Sequence, residues 1–134
     1  AGVESPLTDI GFSKDDVRRL AEYLNLPNAD KPSNSCLSAR IPYGERITLE
    51  KLSRIDRAEI FIKNLTGVRQ VRVRDHEGIA RIEVGREERR LLFNEETMDR
   101  IVSELKEMGF KYVTMDLDGY RSGSMNIALQ QNGV

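Results

Sequence analysis

The sequence predicts an α+β fold: a ferredoxin-like, split β-α-β-β-α-β sheet with its helices on one face, preceded by a separate helix. Three observations carry this expectation. Valines alternate with arginines in Val71-Arg-Val-Arg74, and a second alternating run, Ile79-Ala-Arg-Ile-Glu-Val84, follows the turn-forming Asp75-His-Glu-Gly78. Residues recur at helical spacing before this hairpin (Leu52, Ile55, Ala58, Glu59, Phe61, Ile62, all apolar but Glu59) and after it (Met98, Ile101, Val102, Leu105). Finally, Phe110–Leu117 reads as a closing strand.

Taken in order, Ser13 is placed to cap a helix with Asp16 at its third position, and Val17, Leu20, Ala21 and Leu24 form one apolar stripe. A lone helix cannot bury such a stripe, so it needs a partner surface. Leu26-Pro27-Asn28 ends the helix. Residues 25–48 then read as a long irregular stretch, interrupted by a short strand near Leu37–Pro42 that would open the sheet. Thr48 opens the next helix, which ends near Thr66-Gly67. After the hairpin come a helical stretch over Glu87–Phe93 and a longer helix over Glu95–Met108, with Gly109 as its stop.

Bulk properties bound the function. The 134 residues suffice for one domain, or for one domain plus part of another. Lys and Arg number 21 against 22 Asp and Glu, giving a net charge of -1 and no general drive towards nucleic acid or anionic membrane. One cysteine excludes an internal disulfide framework and suits a reducing cytosol. No apolar run approaches the roughly 18 to 20 residues of a membrane span, and a cytoplasmic location is expected.

That cysteine, Cys36, lies in the loop Lys31-Pro-Ser-Asn-Ser-Cys36-Leu-Ser-Ala-Arg40-Ile-Pro-Tyr-Gly44. If Lys31 and Arg40 are near it in space, they favour thiolate, the reactive form. The residues alone leave both an inert and a reactive thiol open. Arg72 and Arg74, two apart on a strand, project from one face, where a carboxylate or phosphate would relieve their repulsion. The bland alternative is a charged solvent face, with Glu83 pairing one of them across the hairpin. His76 reads as an exposed imidazole in the hairpin turn. Glu83, Asp116 and Asp118 could bind a divalent cation through oxygen, but their spacing matches no metal motif. Gly119-Tyr-Arg-Ser-Gly-Ser124 lacks the glycine offsets of a phosphate loop and reads as a turn, or a loop facing substrate. Arg86-Glu-Glu-Arg-Arg90 is a solvated helix face.

Several of these stretches together resemble the C-terminal half of the LarE family, the ATP-dependent sacrificial sulfur transferases. They are Ser5-Pro-Leu, Lys14-Asp-Asp-Val-Arg-Arg-Leu-Ala21, Asp30-Lys-Pro32, Cys36-Leu, Arg40-Ile-Pro-Tyr-Gly44, Val71-Arg-Val-Arg74, Ala80-Arg-Ile-Glu-Val84 and Gly109-Phe-Lys-Tyr-Val-Thr, with Asp116-Leu-Asp-Gly-Tyr-Arg-Ser-Gly-Ser-Met-Asn126 after them. They stand in the family's order and cover nearly the whole chain. The resemblance implies a PP-loop (adenine nucleotide α-hydrolase) domain before this sequence, with residues 1–30 as that domain's last helix and linker. Residues 31–134 would then be the substrate-binding and sulfur-donor domain. It implies adenylylation of a pyridinium dicarboxylate mononucleotide, with ATP and Mg2+ held mainly by the N-terminal domain. Sulfur then passes from a protein cysteine to the activated carbon, in nickel-pincer cofactor synthesis.

By the same resemblance Cys36 is the sulfur donor, Arg72 and Arg74 bind the substrate phosphate, and Glu83 is a further acid of the site. Arg40 and Arg121 complete the candidate substrate-binding set, and a homo-oligomer is expected. Some relatives instead use several cysteines around an iron–sulfur cluster. The sequence departs from the family pattern in two ways. The Ser-Gly-Gly-x-Asp-Ser phosphate loop is absent, so this portion alone should adenylylate nothing. The usual Cys-Leu-x-Ser-Arg order appears as Cys36-Leu-Ser-Ala-Arg40, which displaces a hydroxyl. Two other readings stay open: a subdomain of a tRNA-thiolating PP-loop enzyme, against which the near-neutral charge counts, and a non-catalytic oligomerisation module.

Overall fold

The computed structural model describes residues 5–29 and 35–121. The chain divides into two compact units, Ala1–Ser33 and Asn34–Val134. In the first, Pro6–Asp9 makes one helical turn (α1) and Lys14–Tyr23 a longer helix (α2). Ser13 caps α2 as its sequence suggests. Its Oγ accepts from the Asp16 amide at 3.2 Å, and the Asp16 carboxylate accepts from the Ser13 amide at 3.0 Å. This reciprocal capping box satisfies amides that a helix start otherwise leaves open. The apolar stripe is uncovered: Val17, Leu20 and Leu24 are all exposed.

In the second unit, Leu49–Thr66 forms helix α3. Thr48 Oγ1 accepts from the Lys51 amide at its start, and Gly67 ends it in the left-handed conformation. Strands β1 (Val71–His76) and β2 (Ile79–Val84) then pair antiparallel in a register running from Val71↔Val84 to His76↔Ile79. Glu77 and Gly78 both have positive φ (51° and 92°), the signature of the tight turn whose twist matches that of the strands. A 3-10 turn over Arg86–Leu91 leads to helix α4 (Glu95–Glu107), capped by Asn94. Strand β3 (Tyr112–Met115) closes the sheet parallel to β2, in the order β1-β2-β3.

The expected α+β class is what the structure shows. The expected opening strand at Leu37–Pro42 is not formed: Leu37–Arg40 is a 3-10 turn, closed by the Ile41 amide on the Ser38 carbonyl. Pro42 has no amide to give a ladder, and Arg40 is drawn inward to an ion pair that fixes the turn. Without that strand to divide them, β2 and β3 pair directly.

Alternation along the strands sorts the side chains. Val71, Val73, Ala80, Ile82 and Val84 lie on the helix side, where they form one core with Ile55, Ala58 and Ile62 of α3 and Ile101 and Leu105 of α4. Each fully buried Val, Leu or Ile side chain contributes roughly 1.5–3 kcal/mol. Arg72, Arg74, Arg81 and Glu83 take the opposite face.

Asp75, on the helix side, is the polar exception. Its Oδ2 accepts from Arg54 Nε at 2.7 Å and its Oδ1 from the Gly78 amide at 2.9 Å. The same arginine lies over the Phe110 ring, 5.0 Å from its centroid. One carboxylate thus ties α3 to the hairpin turn. Asp75→Ala strands both a guanidinium and an amide, and is expected to cost about 3 kcal/mol in urea unfolding. A loss below about 0.5 kcal/mol, the level of an ordinary surface change, would refute that role.

Candidate functional site

The face of the sheet away from the helices is charged, yet buried. Arg72 is 3% exposed, Arg74 5% and Glu83 0%. The register sets Arg72 opposite Glu83 and Arg74 opposite Arg81. Glu83 serves two neighbours, accepting from Arg74 Nη2 at 2.9 Å and from Arg81 Nη2 at 3.0 Å. Arg72 gives Nη1 to the Val71 carbonyl, and its guanidinium lies 5.5 Å from the centre of the Tyr120 ring. Of the bland alternative, the pairing of Glu83 with Arg74 is present, but the face is not solvated at Arg72, Arg74 and Glu83. Three guanidiniums and a carboxylate share a largely water-poor surface, where charge interacts more strongly than in bulk water.

The 3-10 turn carrying Cys36 lies against this face. Arg74 Nη1 donates to the Ala39 carbonyl at 2.6 Å. Arg40 is 1% exposed and turns away from solvent. Its Nη1 donates to the Ser35 carbonyl (2.9 Å), the Ser35 hydroxyl (2.7 Å) and the Cys36 carbonyl (2.9 Å). Its Nε and Nη2 meet the two oxygens of Glu59. The resemblance assigns Arg40 to substrate; in the structure its guanidinium bonds to Glu59 and to the loop.

Cys36 itself is exposed at the start of the turn, with its Sγ in hydrogen-bonding contact with Ser38 Oγ at 2.6 Å. That hydroxyl is the main influence holding the thiol below its ordinary pKa, followed by the Ala39 amide; the Arg40 charge contributes least. The sequence points to cationic neighbours as the activating groups. Local donors contribute more than Arg40, which acts in the expected direction, while Lys31 lies outside the described residues. Ser38, the hydroxyl displaced from the family order, is the group in contact with the sulfur. Ser38→Ala is expected to raise the midpoint of the pH profile for Cys36 alkylation. An unchanged midpoint would remove Ser38 from the account.

Arg72 is pushed below its ordinary pKa, first by burial and then by the nearby Arg40 charge, while Glu59 opposes both. Positive charge is therefore crowded here, and an anion bound against it would be stabilised. His76 is half-buried rather than exposed, and burial followed by Arg81 pushes its pKa down, so it stands neutral at pH 7.

Arg121 forms an exposed ion pair with Asp118 at 3.1 Å, and the residue beside it, Tyr120, is the one that reaches Arg72. Gly119 makes this approach feasible. It has a φ of 76°, and a side chain there would meet the Val84 carbonyl at 2.7 Å, the same oxygen that accepts the Tyr120 amide. The rest of the Gly119–Ser124 stretch lies outside the described residues. Glu83 and Asp116 both pair with Arg81, and Asp118 pairs with Arg121. Among the described residues no group of three or more His, Cys, Asp or Glu could hold a metal ion. No helix among them is long and apolar enough to cross a membrane.

Sequence reasoning missed Ser35, Glu59 and Tyr120. Glu59 did leave a signal, as a carboxylate set within the apolar spacing of α3.

No family model matches the chain. Three curated proteins do. A pyridinium-3,5-bisthiocarboxylic acid mononucleotide synthase of Lactiplantibacillus plantarum is 43% identical over 131 residues, covering 96% of this chain and 46% of the synthase. The chain is a homologue of that synthase. An uncharacterized protein of Synechocystis is 45% identical over 128 residues, 96% of this chain and 47% of its own. An uncharacterized protein of Methanocaldococcus jannaschii is 32% identical over 121 residues, 90% of this chain and 45% of its own. The chain thus spans about half the length of the curated relatives it matches.

Proposed function

We propose that this chain is the substrate-binding and sulfur-donor part of an ATP-dependent sulfur transferase of the LarE kind, acting on an adenylylated pyridinium carboxylate mononucleotide with Cys36 as donor. One observation carries the reading: an exposed thiol, held below its ordinary pKa, sits on a turn that Arg74 and Arg40 bind to a buried arginine face. The homologous synthase supports it, because its named product bears both thiocarboxylates and a mononucleotide.

The chemistry balances without an added redox partner. The Cys36 thiolate attacks the acyl carbon, and AMP leaves with the electron pair of the broken C–O bond. A base then takes the Cys36 Cα proton as the Cβ–Sγ bond breaks. The pair stays on sulfur, leaving a thiocarboxylate on the product and dehydroalanine in the chain. Arg72 and Arg74 hold the nucleotide phosphate through this sequence and keep the acyl carbon near the thiol. ATP and Mg2+ belong, in this reading, to an N-terminal PP-loop domain of a homo-oligomeric full-length protein. The carboxylates described here are committed to arginines and do not suit Mg2+, so no step is routed through that ion.

Intact mass of the full-length protein after turnover tests this directly. Loss of the elements of hydrogen sulfide, mapped to Cys36 and equal in amount to the sulfur transferred, is the expected result. Product formation with Cys36 unchanged would overturn the sacrificial route.

A further inference from the structure

Helix α3 presents Glu59 to the outer edge of β1, amid the apolar residues Ile55, Ala58 and Ile62. Its Oε1 accepts the Val73 amide at 3.0 Å and Arg40 Nε at 2.9 Å, and its Oε2 accepts Arg40 Nη2 at 3.3 Å. Arg72 Nη1 lies 4.0 Å from Oε2. Beyond Glu59, the far nitrogen of Arg40 holds the carbonyls of Ser35 and Cys36. An unbroken path of two side chains therefore joins the backbone of the cysteine to the strand amide between Arg72 and Arg74.

Packing alone does not explain this choice of residues. A buried ion pair is costly to desolvate and is often no better for stability than apolar side chains of similar size. It does fix geometry: the planar fork of Arg40 meets the Glu59 carboxylate through two nitrogens and the loop carbonyls through the third. The pair takes up the peptide carbonyl of the very residue whose sulfur would react. It spans the gap between that residue and the strand bearing the anion-binding arginines.

We infer that Arg40 and Glu59 are positioning residues, which set the Cys36 turn in register with Arg72 and Arg74 without touching substrate. The inference rests on the reading of Cys36 as sulfur donor and adds the device that aims it. Loosening the pair should leave the phosphate ligands in place while the thiol loses both its aim and its contact with Ser38.

The test uses the full-length protein carrying Glu59→Gln, which keeps an acceptor for the Val73 amide but loses the charge that holds Arg40. Substrate affinity should stay within about twofold, while the single-turnover rate of sulfur transfer falls by at least about tenfold, as for a misplaced reacting group. The midpoint of the Cys36 alkylation profile should also rise. A folded variant with unchanged rate and unchanged alkylation profile overturns the inference. So does a loss confined to affinity, which would make the pair part of the substrate site. If Glu59→Gln does not fold, Arg40→Lys takes the same measurements: it keeps the charge but lacks the fork. Alkylation needs no sulfur transfer. A shifted profile in a protein whose Cys36 donates no sulfur would sink the donor reading and leave the positioning role standing.

Discussion

Cys36→Ala in the full-length protein is expected to abolish sulfur transfer and to leave stability within about 0.5 kcal/mol of wild type. The two expectations have separate causes. The thiol is exposed, and its side-chain contact is with Ser38, so its removal opens no cavity. The Cys36 carbonyl that accepts from Arg40 survives in alanine, so the turn keeps its anchor. The chemistry has no such substitute. Cys36→Ser should fail as well, because a hydroxyl at neutral pH is a far weaker nucleophile than a thiol whose pKa the turn already holds down. Activation of the carboxylate does not involve the sulfur, so pyrophosphate release should continue in both variants while thiolated product disappears. Thiolation by Cys36→Ala at the wild-type rate would place the sulfur source elsewhere.

The hairpin is legible in the sequence because period-two alternation around a glycine turn has few other readings. The helices are legible because Thr48 and Ser13 announce two of their starts and Gly67 and Gly109 two of their ends. Leu37–Pro42 misleads because a short segment between irregular stretches can be read as the strand that a β-α-β-β-α-β order needs. What decides its conformation is a partner nineteen residues away, Glu59, which draws Arg40 inward. Alternation places Arg72 and Arg74 on one face but cannot say whether that face meets water. It is buried because the 3-10 turn and Tyr120 approach it from distant parts of the chain. The larger influences on the Cys36 thiol are hidden from the sequence for a related reason. Proximity in sequence suggests Lys31 and Arg40, whereas the tight turn brings Ser38 Oγ and the Ala39 amide to the sulfur.

Glu83→Ala should be among the most damaging single changes in the sheet. Glu83 is fully buried and accepts from Arg74 on one oxygen and Arg81 on the other. Those arginines are direct cross-strand partners, so deleting the carboxylate sets two guanidiniums against each other on adjacent strands. Asp116, 3.8 Å from Arg81 Nε, offsets this only in part. Breaking a buried pair by removing one member costs about 3–5 kcal/mol, and urea unfolding of Glu83→Ala should show a loss of that size. Glu83→Gln keeps one acceptor and loses the charge, so its cost should be smaller, about 1–3 kcal/mol. A further consequence links this stability effect to function. If the arginine face binds phosphate, millimolar phosphate should restore part of the lost stability in Glu83→Ala, and restore it more than an equal ionic strength of chloride does. Equal effects of the two salts would mean simple screening. Wild-type stability in Glu83→Ala would show that Arg74 and Arg81 need no counter-charge from this carboxylate.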